Sequence, residues 1–275
     1  MYEIRPVTRL IQIDALIAIF NYIRPKGFYF PGESHDFWEC VYVQEGEVTA
    51  TADERVYQLG KGQLLLHKPM EYHRIWTGAD CAPWIINISF QAHGSLTDKL
   101  ACRCFDLNDS QKEAFFKIVA SYTEFETLLQ NDPLLQYAAC VNRTAVLLEQ
   151  FLLELAESKD LNAPSRSPKD ARYSQIVQVM QTNCYKNLTL LQLANLCQMS
   201  VSNMKRIFQQ YSDVGIAKYF LTLRMRCAKE LLEQGTPANQ VAEILNFPDI
   251  PYFYTVFKRE TGMTPTQYRK QKSKK

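Results

Sequence analysis

The sequence predicts an α+β chain of two domains: an antiparallel β-barrel carrying two helices and, behind a linker, an all-α domain. Three observations predict it. Residues 7–105 show short apolar-alternating runs broken by turn residues, the period of half-buried strands. From residue 109 onward the apolar spacing changes to the three-and-four rhythm of helices. Charge also divides along the chain. Residues 1–170 hold 16 Lys/Arg against 23 Asp/Glu, and residues 171–275 hold 15 against 6. The overall net charge of +2 thus hides an acidic part of −7 and a basic part of +9. Only the basic part suits a polyanion.

The strand runs are Cys40–Gln44, Gly46–Ala52, Arg55–Leu59, Gln63–His67, His73–Trp76 and Trp84–Phe90. Turns are read at Pro31-Gly32, Glu45-Gly46, Ala52-Asp53, Gly60–Gly62 and Gly78–Asp80. Many short strands at this spacing predict a small barrel or sandwich. In residues 109–158, Phe115, Phe116, Val119, Tyr122, Phe125 and Leu128-Leu129 make one helical stripe. After an Asn131-Asp132-Pro133 turn, Leu134, Leu135, Ala138, Val141, Ala145, Leu148, Phe151, Leu152 and Leu155 make a second. Two antiparallel helices on a barrel edge leave an outer apolar face, either a dimer surface or packing within the chain. Residues 159–170, with two Pro, two Ser and alternating charges, read as a linker. The expected boundaries are 1–158, 159–170 and 171–275.

Helix starts in the last region are marked by caps at Thr189, Ser200, Thr236-Pro237, Asp249 and Thr264-Pro265. They define two copies of helix, tight turn, helix. The first is Leu190–Cys197 with Ser200–Tyr211, and the second is Pro237–Leu245 with Ile250–Thr261. A long helix, Ile216–Gln234, lies between them. On a basic domain, two helix-turn-helix units joined by a rigid helix place two second helices at a fixed separation for major-groove entry.

Other classes are excluded by what the sequence lacks. Its longest apolar stretches, Leu10–Ile23 and Leu147–Leu155, are interrupted by Asp14, Asn21 and Glu149, so no membrane span is expected. Met1–Pro6 has no signal-peptide pattern, and a cytoplasmic location is expected. Eight cysteines scatter without a C-x-x-C pair, the usage of reduced, buried thiols; Cys102 and Cys104 are the closest pair. Phosphate loops, dinucleotide fingerprints and nucleophile elbows are absent, so no catalytic residue, cofactor or enzymatic activity is expected.

Val241, Ala242, Leu245, Asn246, Phe247, Tyr252, Phe253, Phe257, Lys258, Arg259, Gly262, Thr264, Pro265, Tyr268 and Arg269 hold one spacing throughout the second unit. With Arg224, Ala228, Leu231 and Leu232 on the linking helix, residues 187–270 resemble the DNA-binding domain of the AraC/XylS family of bacterial transcription regulators. Asn246 replaces a customary Gly, and Asn tolerates the left-handed conformation that such a turn needs. Gly215-Ile216 replaces Ser-Pro at the start of the linking helix. Ile250, Pro251 and Thr255, the last where Arg is common, offer no bidentate contact to guanine. The resemblance therefore implies base readout by the first unit, through Ser202, Asn203, Lys205 and Arg206. The second unit, with Ile250, Tyr254, Thr255 and Lys258, is expected to hold the backbone through Lys258 and Tyr254 and to meet thymine methyls through Ile250. Lys205 and Arg206 point about 100° apart and do not both reach bases. Met204, Ile207, Phe208, Phe253 and Phe257 are expected in the core.

Upstream, His35-Asp-Phe-Trp-Glu39, Tyr42-Val43, Gly46, Gly60-Lys-Gly62 and Pro69-Met-Glu-Tyr-His73 are similar to the cupin-like sensor barrel common in the same family. On a strand His35, Phe37 and Glu39 share one face. Cupin enzymes use His and Glu as metal ligands, but Phe37 stands in place of the second His. Three groups with His73 are too few, so no metal is expected. His35, Phe37, Trp38, Glu39, His73 and Trp84 are expected instead to line a small-molecule pocket. Around them crowd Phe28, Tyr29, Phe30, Tyr42, Tyr57, Tyr72 and Trp76. The resemblance implies double-stranded promoter DNA, a small-molecule effector with carbohydrate as the raised class, a homodimer, and RNA polymerase as a contact. Two alternatives stand: a metal-dependent cupin enzyme with a helical accessory domain, and a regulator controlled by a protein partner through residues 109–158.

Overall fold

The computed structural model describes residues 6–101, 103–128, 134–159 and 167–272, excepting the side chains of 125–128, 134–137 and 272. Cys102, the side chains of Phe125, Leu128, Leu134 and Leu135, the 129–133 turn, linker residues 160–166 and the last three residues lie outside the described part. The chain forms two compact units, Met1–Ser165 and Arg166–Lys275.

The first unit runs β1 Gln12–Ile23, β2 Tyr29–Glu33, β3 Trp38–Glu45, β4 Glu47–Ala52, β5 Arg55–Gly60, β6 Gln63–His67, β7 His73–Trp76, β8 Trp84–His93, α1 Thr97–Leu100, β9 Arg103–Asp106, α2 Asp109–Leu128 and α3 Leu134–Glu157. Every strand pair is antiparallel. One sheet has the order β1-β8-β3-β6-β9, the other β2-β7-β4-β5. Period-two alternation sorts β3 between two cores. Val41 and Val43 join Val48, Ala50, Tyr57, Leu59, Leu65, Ile75 and Ile85 in the core shared by the two sheets. Cys40 and Tyr42 point the other way, toward Phe115, Ile118, Leu148, Phe151 and Leu152 of α2 and α3. Both faces of β3 are covered, so its run of apolar residues carries no polar alternation. No disulfide joins the seven described cysteines, and burial pushes the Cys40 thiol up to about 12.

Some local readings give way to tertiary context. Pro31-Gly32 lies inside β2, at a register shift between Phe30 and Glu33, rather than in a turn. β2 is an edge strand, and a Pro without an N–H is tolerated at an edge bulge. β3 starts at Trp38, so His35 and Phe37 sit in the irregular segment before it and do not share a strand face with Glu39. Strand β1, an edge with Ile17, Phe20, Tyr22 and Ile23 exposed, shows little of the alternation that marks its neighbours.

The second unit is helical: α4 Pro168–Thr182, α5 Leu190–Leu196, α6 Val201–Phe208, α7 Ile216–Glu233, α8 Ala238–Ile244, α9 Ile250–Thr261 and α10 Pro265–Lys272. Side-chain caps close most starts. Thr189 and Gln192 form a capping box, Ser200 accepts from Asn203 N at 3.2 Å, Asp249 from Tyr252 N at 2.6 Å, and Thr264 from Gln267 N at 3.3 Å. Pro237, not Thr236, takes the cap position of α8, and no side chain caps it. Helix α4 begins inside the stretch read as linker. Ser167 caps it, and the buried Asp170 carboxylate accepts from Tyr211 Oη at 2.6 Å, which pins its first turn. Among the described residues no helix is long and apolar enough to cross a membrane.

Both turns inside the helix pairs use a left-handed residue, Gln198 (φ 55°) and Asn246 (φ 52°). They differ in what that conformation secures. Asn246 Nδ2 donates to Tyr185 O at 2.9 Å, while the conformation of Gln198 costs about 1–2 kcal/mol for an L-residue. Gln198→Gly is therefore expected to stabilise the helical unit by roughly 0.5–1 kcal/mol after the added chain entropy of Gly. Asn246→Gly is expected to yield less, because it removes the bond to Tyr185. Thermal melts of the two variants rank them.

Candidate functional site

The helical unit presents two matching faces. Met204, Ile207 and Phe208 anchor α6 in the core, which turns Ser202 and Arg206 to the opposite side. On α9, Phe253, Val256 and Phe257 are buried, and Pro251, Thr255 and Lys258 are opposite. Ser202 and Pro251 are each the second residue of their helix, and Arg206 and Thr255 each the sixth. All five expected core residues are buried. Arg206 Nη2 donates to Asn203 Oδ1 at 2.9 Å, which holds the guanidinium over the exposed face, and Lys205 lies exposed on its flank. The α9 residues are engaged differently. Tyr254 Oη lies 3.3 Å from Thr266 Oγ1 of α10, Thr255 Oγ1 donates to Pro251 O at 3.0 Å, and Ile250 is half-buried. Lys258 remains exposed. Tyr252, 52% exposed, lies outside the sequence-predicted set; its lone position beside Phe253 carried no polar signal.

Helix α7 ties the two pairs together. The buried Arg224 reaches Leu245 O through Nη2 and Asn187 Oδ1 through Nη1 at 3.4 Å, and its guanidinium lies 4.2 Å from the Phe247 ring centre. Burial lowers its pKa. Lys218 and Arg259 both pair with Glu260 on α9.

In the barrel unit, a cavity of about 420 Å³ is walled by Phe20, Tyr22, Phe28, Phe30, Ile75 and Ile85, with Arg24, Glu33, Glu39 and Asn87 as its polar groups. Of the six residues expected to line it, Glu39 does so. Trp38 falls on the helix-facing side of β3 and is core, because odd and even positions of that strand face opposite ways. Trp84 Nε1 donates to Asn21 Oδ1 at 2.6 Å outside the lining, and Phe37 stacks on His35 at 3.6 Å. His35 and His73 gather with Glu33 and Glu39 in one cluster. Glu33, Phe20, Tyr22, Arg24 and Asn87 were not picked from sequence: three lie on or just beyond an edge strand whose pattern is irregular.

The cluster is electrostatically tight. Glu33 Oε1 is 3.9 Å from His35 Nε2 and 3.7 Å from His73 Nε2, and Glu39 Oε1 is 3.9 Å from His73 Nε2. These are ion-pair separations, too long for hydrogen bonds. His73 lowers the Glu33 carboxyl, and burial raises that of Glu39. Burial pulls His35 down to about 4. Burial also opposes charge on His73, but Glu33 and Glu39 outweigh it and leave its pKa raised.

Comparison with known proteins gives the same division. Residues 21–97 match the AraC-like ligand binding domain, and residues 193–271 match a helix-turn-helix domain. The chain is 24% identical over 255 residues to the Msm operon regulatory protein of Streptococcus mutans, covering 90% of this chain and 88% of that protein. It is 25% identical over 272 residues to the HTH-type transcriptional activator RhaR of Mannheimia succiniciproducens, covering 90% and 89%. Among solved structures, ToxT from Vibrio cholerae is similar at 13% identity and a TM-score of 0.39, over 95% of this chain and 98% of that one. A ligand-binding barrel followed by a helix-turn-helix DNA-binding domain, in one chain with these relatives, makes this protein a transcription regulator of the AraC/XylS family.

Proposed function

We propose that the chain is an effector-responsive regulator that reads promoter DNA mainly through α6. The observation that carries this reading is the Ser202–Arg206 face: polar, exposed, oriented by Asn203, and backed by three buried apolar residues. In a major groove Arg206 would supply the guanine contact, with Ser202, Asn203 and Lys205 around it. Helix α9 would anchor the neighbouring backbone through Lys258, with Ile250, Tyr254 and Thr255 at the margin of that contact. The barrel cavity would take the effector. Aromatic walls beside Glu33, Glu39, Asn87 and Arg24 suit a small polyhydroxylated molecule, a carbohydrate above all: rings stack on its C–H faces while the polar groups meet its hydroxyls. His35, Phe37 and His73 would border that space rather than wall it.

In the same reading residues 1–158 sense and dimerise, the following segment links, and the region from 171 binds DNA. Val146 and Leu153, seven residues apart on α3, share an exposed face suited to pairing with a second chain. At the promoter RNA polymerase is the contact, and the cytoplasm is the location.

A mobility-shift assay on the upstream DNA over a salt series, with and without monosaccharides, tests this. A discrete complex should weaken steeply with salt, by about 0.9 log units per log unit of salt for each phosphate engaged. Lys258→Ala should lower that slope by about one and weaken all sequences alike. Binding no tighter than to random DNA would overturn the reading.

A further inference from the structure

Glu33 and Glu39, which line the barrel cavity, gather with His35 and His73, and the four come from different places: Glu33 from β2, His35 from the segment after it, Glu39 from β3 and His73 from β7. Their arrangement has one unusual property. His35 Nδ1 lies 3.0 Å from Phe37 O, and His73 Nδ1 lies 3.2 Å from Glu71 O. A carbonyl oxygen only accepts, so both Nδ1 atoms carry a proton, and each Nε2, turned into the cluster, presents a lone pair whenever its ring is neutral. Those two Nε2 atoms are buried without a hydrogen-bond partner. The His73 side chain is 1% exposed and that of His35 12%. What they face is two carboxylates, which also only accept when ionised. With both rings neutral, four acceptors therefore converge, within 4.8 Å of one another, with no donor among them.

Buried acceptors do not converge without cost unless a cation satisfies them. A proton on His73 Nε2 would face Glu33 at 3.7 Å and Glu39 at 3.9 Å, and one on His35 Nε2 would face Glu33 at 3.9 Å, all longer than a hydrogen bond. A metal ion with bonds of about 2.0–2.2 Å places its donors about 3.4 Å apart; the three His–Glu separations of 3.7–3.9 Å stand a few tenths of an ångström outside that, and the whole set, within 4.8 Å, would draw in around an ion. The supporting contacts also fit. Each imidazole is oriented by a carbonyl on its other nitrogen. Glu39 accepts from Asn87 Nδ2 and Ser89 Oγ, both at 3.2 Å, and His67 stacks behind His73 at 4.5 Å.

We propose that Glu33, His35, Glu39 and His73 form a binding site for one first-row divalent transition ion, with Zn²⁺ the best match to two imidazoles and two carboxylates. Glu33 and Glu39 both line the cavity, so the ion borders the effector space, and an effector with oxygen donors meets it there. The sequence showed three of these groups. The fourth, Glu33, becomes a neighbour only through the pairing of β2 with β7. DNA binding in the absence of metal leaves the regulator reading intact, so the two proposals fail separately.

Co²⁺ titrated into the chelator-stripped full chain is the test, read by visible d–d absorption, by metal content after dialysis and by thermal shift. The expected result is one Co²⁺ per chain, displaced by Zn²⁺, with no thermal shift from Mg²⁺ or Ca²⁺. Glu33→Gln and His73→Asn should each weaken binding at least tenfold, and His93→Asn, a surface histidine paired with Asp14, should not. If His73→Asn fails to fold, the half-exposed Glu33 decides, since its replacement disturbs no core. Absence of a Co²⁺ band in the native chain, or undiminished affinity in Glu33→Gln, overturns the site.

Discussion

Arg224→Ala is expected to destabilise the helical unit by about 3 kcal/mol, the largest of the stability effects predicted. The side chain sits buried in α7 and meets three groups of the surrounding structure: Leu245 O in the turn of the second helix pair, Asn187 Oδ1 before the first, and the Phe247 ring. Charged hydrogen bonds contribute about 1.5–3 kcal/mol, and truncation leaves a buried carbonyl without its donor at a further cost of about 1–3 kcal/mol that overlaps the first. Arg224→Lys should recover less than half of the loss, because an ammonium cannot span two acceptors while lying flat on a ring. Chemical denaturation followed by helical circular dichroism measures it. A loss below about 1 kcal/mol would show that the turn is held by the Phe247–Phe253 contact and Asn246 instead. The consequence for function is directional. Arg224 connects the long helix to the turn that aims α9, so its loss should weaken contacts made through Lys258 more than those made through Arg206.

Arg206→Ala should lower affinity for the cognate site by about 1–3 kcal/mol, roughly 5- to 150-fold, while binding to scrambled DNA changes little. The distinction from Lys258→Ala is the informative part. A residue that reads a base removes the ratio between specific and nonspecific binding, whereas one that meets phosphate lowers both. Asn203→Ala should reproduce part of the Arg206 effect, since its Oδ1 holds the guanidinium at 2.9 Å. Lys205→Ala should do less, because Lys205 stands about 100° around the helix from Arg206. Equal losses on cognate and scrambled DNA for Arg206→Ala would sink the assignment of base readout to this residue.

Much of the fold was legible along the chain. Strands β3 to β8 begin and end within a few residues of the apolar runs that predicted them, because burial on one face writes an alternation into the side chains and burial on both writes an unbroken apolar run. The caps at Thr189, Ser200, Asp249 and Thr264 were legible for an equally local reason: each side chain bonds a backbone N–H three residues on. Asn246 in a left-handed turn belongs to the same class. The outward faces of α6 and α9 followed from which residues must be buried.

The barrel cavity was not legible in the same way. Its walls come from β1, β2, β3, β7 and β8, and the pairing of β1 with β8 joins residues roughly seventy positions apart. No local period records which edge strand folds over which interior position. Trp38 was assigned to the pocket beside Glu39, although neighbouring residues of a strand face opposite ways and the barrel interior takes only the odd positions of β3. Sequence by itself thus determined strands β3 to β8, the helix pairs, the family and the basic polarity of the second unit, all properties of short-range pattern. Tertiary structure alone decided that Glu33 meets His35, Glu39 and His73, that Arg224 holds the second turn, and that Tyr254 points to α10, because each depends on groups brought together only when distant segments pack.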